Sequence, residues 1–104
     1  MALVSKLQDV VAKREIELVL ENGANEKFLV SIAKPELAES GDSYICPHEF
    51  LTEKFEKVVN IHGVDPIQAL ELSIKSIAPY LEYLERKRGG IFHFLGEPGH
   101  CFPK

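Results

Sequence analysis

The feature that most constrains this chain is a single helix whose start, apolar face and stop are all written in the sequence. Asp65 carries the carboxylate of a good N-cap, able to accept the free amide hydrogens of a first turn. Pro66 follows at the first helical position, where its missing N–H costs nothing and its fixed φ suits the helix. Gln68, three residues after Asp65, is placed to reach back to the cap amide, as in a capping box. Ile67, Leu70, Ile74, Ile77, Leu81 and Leu84 then recur three and four residues apart, which makes one apolar stripe. Glu71 and Glu82 each precede a base by four residues, the favourable order for ion pairs on a helix surface. Arg86-Lys87-Arg88 puts cations at the negative end of the helix dipole, and Gly89-Gly90 ends the helix. Pro79 removes one helical hydrogen bond, to the Lys75 carbonyl, which predicts a kink that bends the helix around its core. A helix with one apolar face needs a second layer to bury it.

The preceding residues supply that layer as strands. From Glu15 onward Ile16, Leu18 and Leu20 alternate with Glu15, Glu17 and Val19, the pattern of a half-buried strand. Asn22-Gly23-Ala24-Asn25 is a turn, and Phe28, Val30 and Ile32 share one face of a second strand, so the pair reads as an antiparallel hairpin. Tyr44–Phe50 is a third strand with Tyr44, Cys46, His48 and Phe50 on one side. Pro47 donates no ladder hydrogen bond, so that strand lies at an edge there or carries a bulge. Residues 53–61 fit a strand through Phe55, Val59 and Ile61 or a helix through Phe55, Val58 and Val59; we read a strand, which leads into the capped helix. Residues 3–11 fit a short helix or an extension of the first strand. Ile91–Leu95 is a possible fifth strand, followed by a turn at Gly96–Gly99. The expectation is a single α+β domain over residues 1–104: an antiparallel meander of four or five strands with one long Pro-kinked helix packed on one face. The other sheet face, with Val19, Leu29 and Ile45, is apolar enough to be a partner surface.

Composition narrows the function. At 104 residues the chain can bury about 65% of its unfolded surface, enough for a core without metal or disulfides. Its net charge is −4, with both signs interspersed, and no basic stripe attracts a phosphate backbone, so no nucleic-acid partner is expected. No apolar run reaches the about 20 residues that span a bilayer, and the N-terminal residues lack the apolar core of a signal peptide. A cytoplasmic protein that does not bind membranes follows, with Cys46 and Cys101 reduced.

Three segments, in order, carry a resemblance: Tyr44-Ile45-Cys46-Pro47, Gly63-Val64-Asp65 with Gln68-Ala69-Leu70, and Phe94-Leu95-Gly96 with Phe102-Pro103. From about Lys13 to Pro103 the chain resembles a family of small bacterial proteins of unknown function. That family carries a Trp-x-Cys strand, a Gly-Val-Asp-Ser-x-Gln-Ala-Leu helix start and a C-terminal Leu-Gly-x-x-x-Gly-Phe-Pro segment. Pro66 stands here in place of its Ser, Tyr44 in place of its Trp and Cys101 in place of its Gly. The resemblance implies the architecture and no activity.

Four histidines and two cysteines are the residues most able to carry chemistry. Cys46 and His48 share a strand face, and His93 with His100-Cys101 joins them if the C-terminal strand pairs nearby. Such a group would bind zinc or work as a Cys-His nucleophile with Asp65 or Glu97 orienting the base. No paired CxxC or HxxxH spacing is present, so no metal, cofactor or catalytic residue is assigned, and Cys46, His48, His93 and His100 stand as candidate ligands only. His62, just before the helix cap, joins His48 and Tyr44 as a candidate binding residue, because loops on a rigid scaffold are where binding usually sits. A ligand pocket between helix and sheet would be lined by Tyr44, Phe50, Tyr80 or Tyr83. The expected function is a non-enzymatic binding or protein-interaction module, of immunity or accessory type, that forms a homodimer through its second sheet face or an edge strand or binds another protein. The alternative is a small Cys/His metal-binding protein or enzyme.

Overall fold

The helix entry forms as its chemistry dictates. In the computed structural model, which describes residues 3–104, the Gln68 amide donates to Asp65 Oδ1 at 2.8 Å and Pro66 opens helix α1, Pro66–Lys75. The Gln68 side chain reaches back one residue further than a capping box requires: its Oε1 accepts from the Val64 amide at 2.7 Å. Asp65→Ala leaves the first turn without its acceptor and is expected to cost about 1 kcal/mol, read by urea unfolding.

The helix is bent. Helix α2 runs Ile77–Arg88, and Ser76, at φ −83° and ψ −7°, joins the two segments. Pro79 falls in the first turn of α2, where amides lack helical partners in any case, so the break sits just before the proline. Gly89 ends α2 in the left-handed region at φ 72°, its amide on the Glu85 carbonyl. The apolar stripe differs from the expected one at its start. Ile67 is 78% exposed, while Ala69, Ser73, Ile77, Leu81 and Leu84 are buried. Small residues at Ala69 and Ser73 let α1 sit close on the sheet, which turns Ile67 outward.

Among the described residues the sheet has seven strands, more than the four or five expected, and every pairing is antiparallel. Strands β1 (Val10–Leu20), β2 (Asn25–Ala33), β4 (Tyr44–Leu51) and β5 (Glu56–Gly63) form the predicted meander. Residues 3–9 are irregular, not helical, and residues 56–63 are strand, as read. The two-residue β3 (Glu36–Leu37) continues β2 against β4 with its register moved by one residue, since Ile32 pairs with His48 but Glu36 pairs with Ile45. This irregularity lies opposite Pro47, the residue without an amide to give, and the Cys46 thiol donates to the Ala33 carbonyl there at 3.3 Å. Strand β6 (Gly90–Phe94) returns beside β1, and the two-residue β7 (Glu97–Pro98) folds back on β6. The turn between them is Leu95-Gly96, so Glu97 and Pro98 are strand where the sequence suggested turn.

The core lies between helix and sheet. Ile16, Leu18, Phe28, Val30, Ile32, Cys46, Phe50 and Phe92 meet Ala69, Ile77, Leu81 and Leu84. The Phe28 and Phe92 rings meet edge to face at 5.0 Å. The second sheet face is not a free apolar surface: Leu29 is 1% exposed and Ser31, Ala33 and Glu49 are buried. The segment Leu3–Asp9 crosses it, with the Ser5 hydroxyl on Glu49 and the Asp9 carbonyl accepting from the Lys34 amide.

Candidate functional site

The predicted Cys/His face divides into separate sites. Cys46 and His48 do share the helix-facing side of β4, and both are buried beneath α1. Ser73 of α1 donates to the Cys46 carbonyl at 3.0 Å, and its oxygen lies 2.8 Å from His48 Nδ1. With the serine proton given to the carbonyl, the imidazole donates from Nδ1, and strand and helix are tied by one polar link. Burial holds the His48 pKa down to about 4, with the Lys57 ammonium adding to the effect. Burial also pushes the Cys46 thiol up, the opposite of the shift that activates a thiolate. These groups are suited to positioning α1.

The remaining candidates lie apart. His93 stands on β6, paired with Glu17 of β1. His100 is buried under the C-terminal tail: its Nδ1 accepts from the Phe102 amide at 3.0 Å, so Nε2 donates to Glu82 at 3.2 Å. Lys104 reaches the same carboxylate at 3.0 Å, and hydrogen bonds from Lys104, foremost, and from His100 hold the Glu82 pKa down. Cys101 is exposed. Among the described residues no group of three or more His, Cys, Asp or Glu is arranged to hold a metal. His62 is exposed with Nδ1 3.1 Å from Ser43 Oγ, and Tyr44 packs against the core. The supposed pocket between helix and sheet is filled, with the Phe50 and Tyr80 rings 4.5 Å apart. No helix among the described residues is long and apolar enough to cross a membrane.

A different region has the geometry of a binding site. Strand β1 is eleven residues long, but β6 pairs with it only from Glu17 to Leu20. Val10–Ile16 therefore has β2 on one side and no strand on the other among the described residues. A groove of about 1040 Å³ opens beside this stretch, lined by Arg14, Ile16, Phe28, His93, Phe94 and Leu95 among others. Arg14 fixes one wall. Its guanidinium lies 4.6 Å from both the Phe94 and the Phe102 ring centres and donates to the Cys101 carbonyl at 2.7 Å, which holds the tail in place. Leu95 stands at the rim, 85% exposed, in the left-handed region at φ 54° with Gly96 following at φ 80°. Two positive-φ residues between paired strands make a type I′ hairpin, which favours Asn, Asp or Gly at the position Leu95 holds. Leucine there costs about 1–2 kcal/mol. Sequence reading missed both residues: Leu95 read as the last residue of a strand, and Arg14 carried no signal of its own.

A family model described as a domain of unknown function, DUF6968, matches residues 12–104. A search of the curated proteins and of the solved structures finds no match. The matched span runs from Ala12, inside β1, to the last residue of the tail and takes in the helix entry and the β6–β7 hairpin. The chain belongs to the DUF6968 family of domains of unknown function.

Proposed function

We propose that this protein is a non-enzymatic protein-interaction module that takes an extended segment of a partner chain alongside β1. The observation that carries the reading is the unpaired edge at Val10–Ile16, next to a groove whose walls mix apolar and aromatic side chains with the charged Lys13, Arg14, Glu15, Glu17 and Lys27. A row of open backbone donors and acceptors is a template for an added strand, and neighbouring pockets then choose its side chains. Leu95 supports the same reading. Backbone strain borne by an exposed apolar residue makes sense when that residue gains something on binding. An accessory or immunity-type role, which acts by covering a partner, fits such a site. A second copy of this chain is one chain able to supply the strand, and the homodimer we expect would then form edge to edge; sedimentation at micromolar concentration distinguishes that case from a different partner. The Cys/His alternative has less support, since Cys46 and His48 are turned into the core with pKa values moved away from reactivity.

Selection of displayed random peptides against the full-length protein tests the proposal. Retained peptides should be strand-forming, and Leu95→Asp should weaken them about tenfold or more, in line with loss of an apolar anchor. Ile67→Asp, equally exposed but at the helix entry, should leave them unchanged. Failure to retain any peptide, or equal losses from the two substitutions, contradicts it. Leu95→Asn relieves the left-handed strain and should raise stability by about 1 kcal/mol while weakening the same peptides, as denaturant titration and binding on one sample will show.

A further inference from the structure

We infer that the outer face of the sheet, from Ala33 across to Glu49, is a second binding surface for an extended protein segment patterned apolar–x–hydroxyl–basic–apolar, and that the strap Leu3–Asp9 occupies it as a built-in competitor. This surface adjoins the β1 groove only at Leu3, which lines that groove; Ser5, Lys6 and Leu7 lie over β2, β4 and β5. Along the strap, Leu3, Ser5 and Leu7 are half-buried while Val4, Lys6 and Gln8 are exposed, the alternation of a segment laid on a sheet. The Ser5 hydroxyl donates to Glu49 Oε1 at 2.8 Å, Lys6 Nζ lies 3.9 Å from Glu56 Oε2, and Leu7 lines a cavity of about 300 Å³ with Ala33, Ile45 and Pro47. The strap thus displays the chemistry the surface accepts: an apolar side chain, a hydroxyl for one carboxylate and a cation for the other.

The fit is incomplete, and that distinguishes an occupant from a permanent part of the core. Glu49 and Ser31 are fully buried and face each other across β4 and β2, yet Glu49 Oε2 and Ser31 Oγ have no partner among the described residues. Buried polar atoms without partners are costly, and a segment bringing a donor for Glu49 Oε2 and an acceptor for the Ser31 hydroxyl would satisfy them. Burial raises the Glu49 pKa; the Ser5 hydroxyl pulls it back, and the neighbouring Glu56 carboxyl adds to the rise. The strap lies outside the residues that the family model matches, which begin at residue 12, and it joins β1 through Asp9 in the left-handed region at φ 56°.

The test uses the full-length protein and a labelled peptide with the sequence of Leu3–Asp9. A tethered strap competes at an effective concentration in the millimolar range, so wild-type protein should bind the peptide weakly. Leu7→Asp, which puts a carboxylate against the apolar Ala33, Ile45 and Pro47 in a cavity with three acids, Asp9, Glu36 and Glu39, to one base, Lys34, should open the strap and tighten peptide binding about tenfold or more. The same peptide carrying Ser5→Ala should bind that variant less tightly. Should Leu7→Asp not fold, Ser5→Pro opens the strap without altering the cavity. Amide exchange of wild-type Ser5–Asp9, which should quicken in excess peptide, needs no variant. Equal binding to wild type and an opened variant, no binding to an opened and folded variant, or strap exchange unmoved by peptide overturns the inference.

Discussion

Gly63→Ala is expected to lower stability by about 3 kcal/mol, the largest loss from a single added methyl group in this chain. Gly63 ends β5, pairs with Tyr44 and precedes the cap of α1. A Cβ there would lie 2.4 Å from the Ala69 nitrogen and 2.7 Å from its Cα. Those are backbone atoms of the first helical turn, so no side chain can swing aside. The helix would have to lift, and Ala69, fully buried, would lose its seat on the sheet. Gly23→Ala is the control, because no atom lies within 4 Å of its added methyl group; its cost is confined to the positive φ and should be about 1 kcal/mol. Urea unfolding of the two variants reads the difference. A loss at Gly63 no greater than that at Gly23 would mean that α1 does not sit as close to β5 as described.

Acidification should act through His48. Its folded pKa, about 4, is below the ordinary 6.5, so the sign is that of a group kept neutral by the fold. Above pH 6.5 the histidine is neutral in both states and contributes no pH dependence. As pH falls below 6.5 the unfolded chain takes up a proton that the folded chain does not, and stability is lost until pH 4, below which both states are protonated. One proton of difference costs about 1.4 kcal/mol for each pH unit crossed, so the loss over that window is about 3 kcal/mol. Glu49 works in the opposite direction: its raised pKa lets the folded chain bind a proton more readily, which favours folding as pH falls. Comparison with His48→Gln separates the two, since Glu49 is common to both proteins. The variant should be less stable at pH 7, having lost packing against Phe50 and Ser73, but its stability should fall less steeply between pH 6.5 and 4. Parallel profiles would show that His48 titrates normally in the folded protein.

The parts of the fold legible in the sequence are those set by local chemistry. The cap at Asp65-Pro66, the stop at Gly89 and the alternation of Ile16, Leu18, Phe28, Val30 and Ile32 each follow from neighbouring residues, and each forms as read. Features set by distant contacts were not legible. Glu36–Leu37 and Glu97–Pro98 are strands only because partners lie beside them. Periodicity located the helix stripe but not its centre, which the small Ala69 and Ser73 decide by permitting close approach to the sheet. The same-face relation of Cys46 and His48 was readable from strand geometry, whereas their shared contact with Ser73, 25 residues beyond His48, was not. His93 and His100 could join them only through a pairing that the return of β6 to β1 rules out. The β1 groove was missed because an open strand edge is a property of what fails to pair, and no residue type announces it. The strap was missed because Leu3 and Leu7, four residues apart, share a face in a helix as well as in an extended segment.

Hydrogen exchange along β1 reads whether its outer edge is open. In the protein alone, amides of Val10–Ile16 that point away from β2 should exchange quickly, while those of Glu17–Leu20, paired on both sides, should be protected. A partner or peptide that adds a strand should slow those outward amides by about tenfold or more, leaving the helix entry at Val64–Ile67 unchanged. Protection appearing at Val64–Ile67 with β1 unaffected would contradict the account.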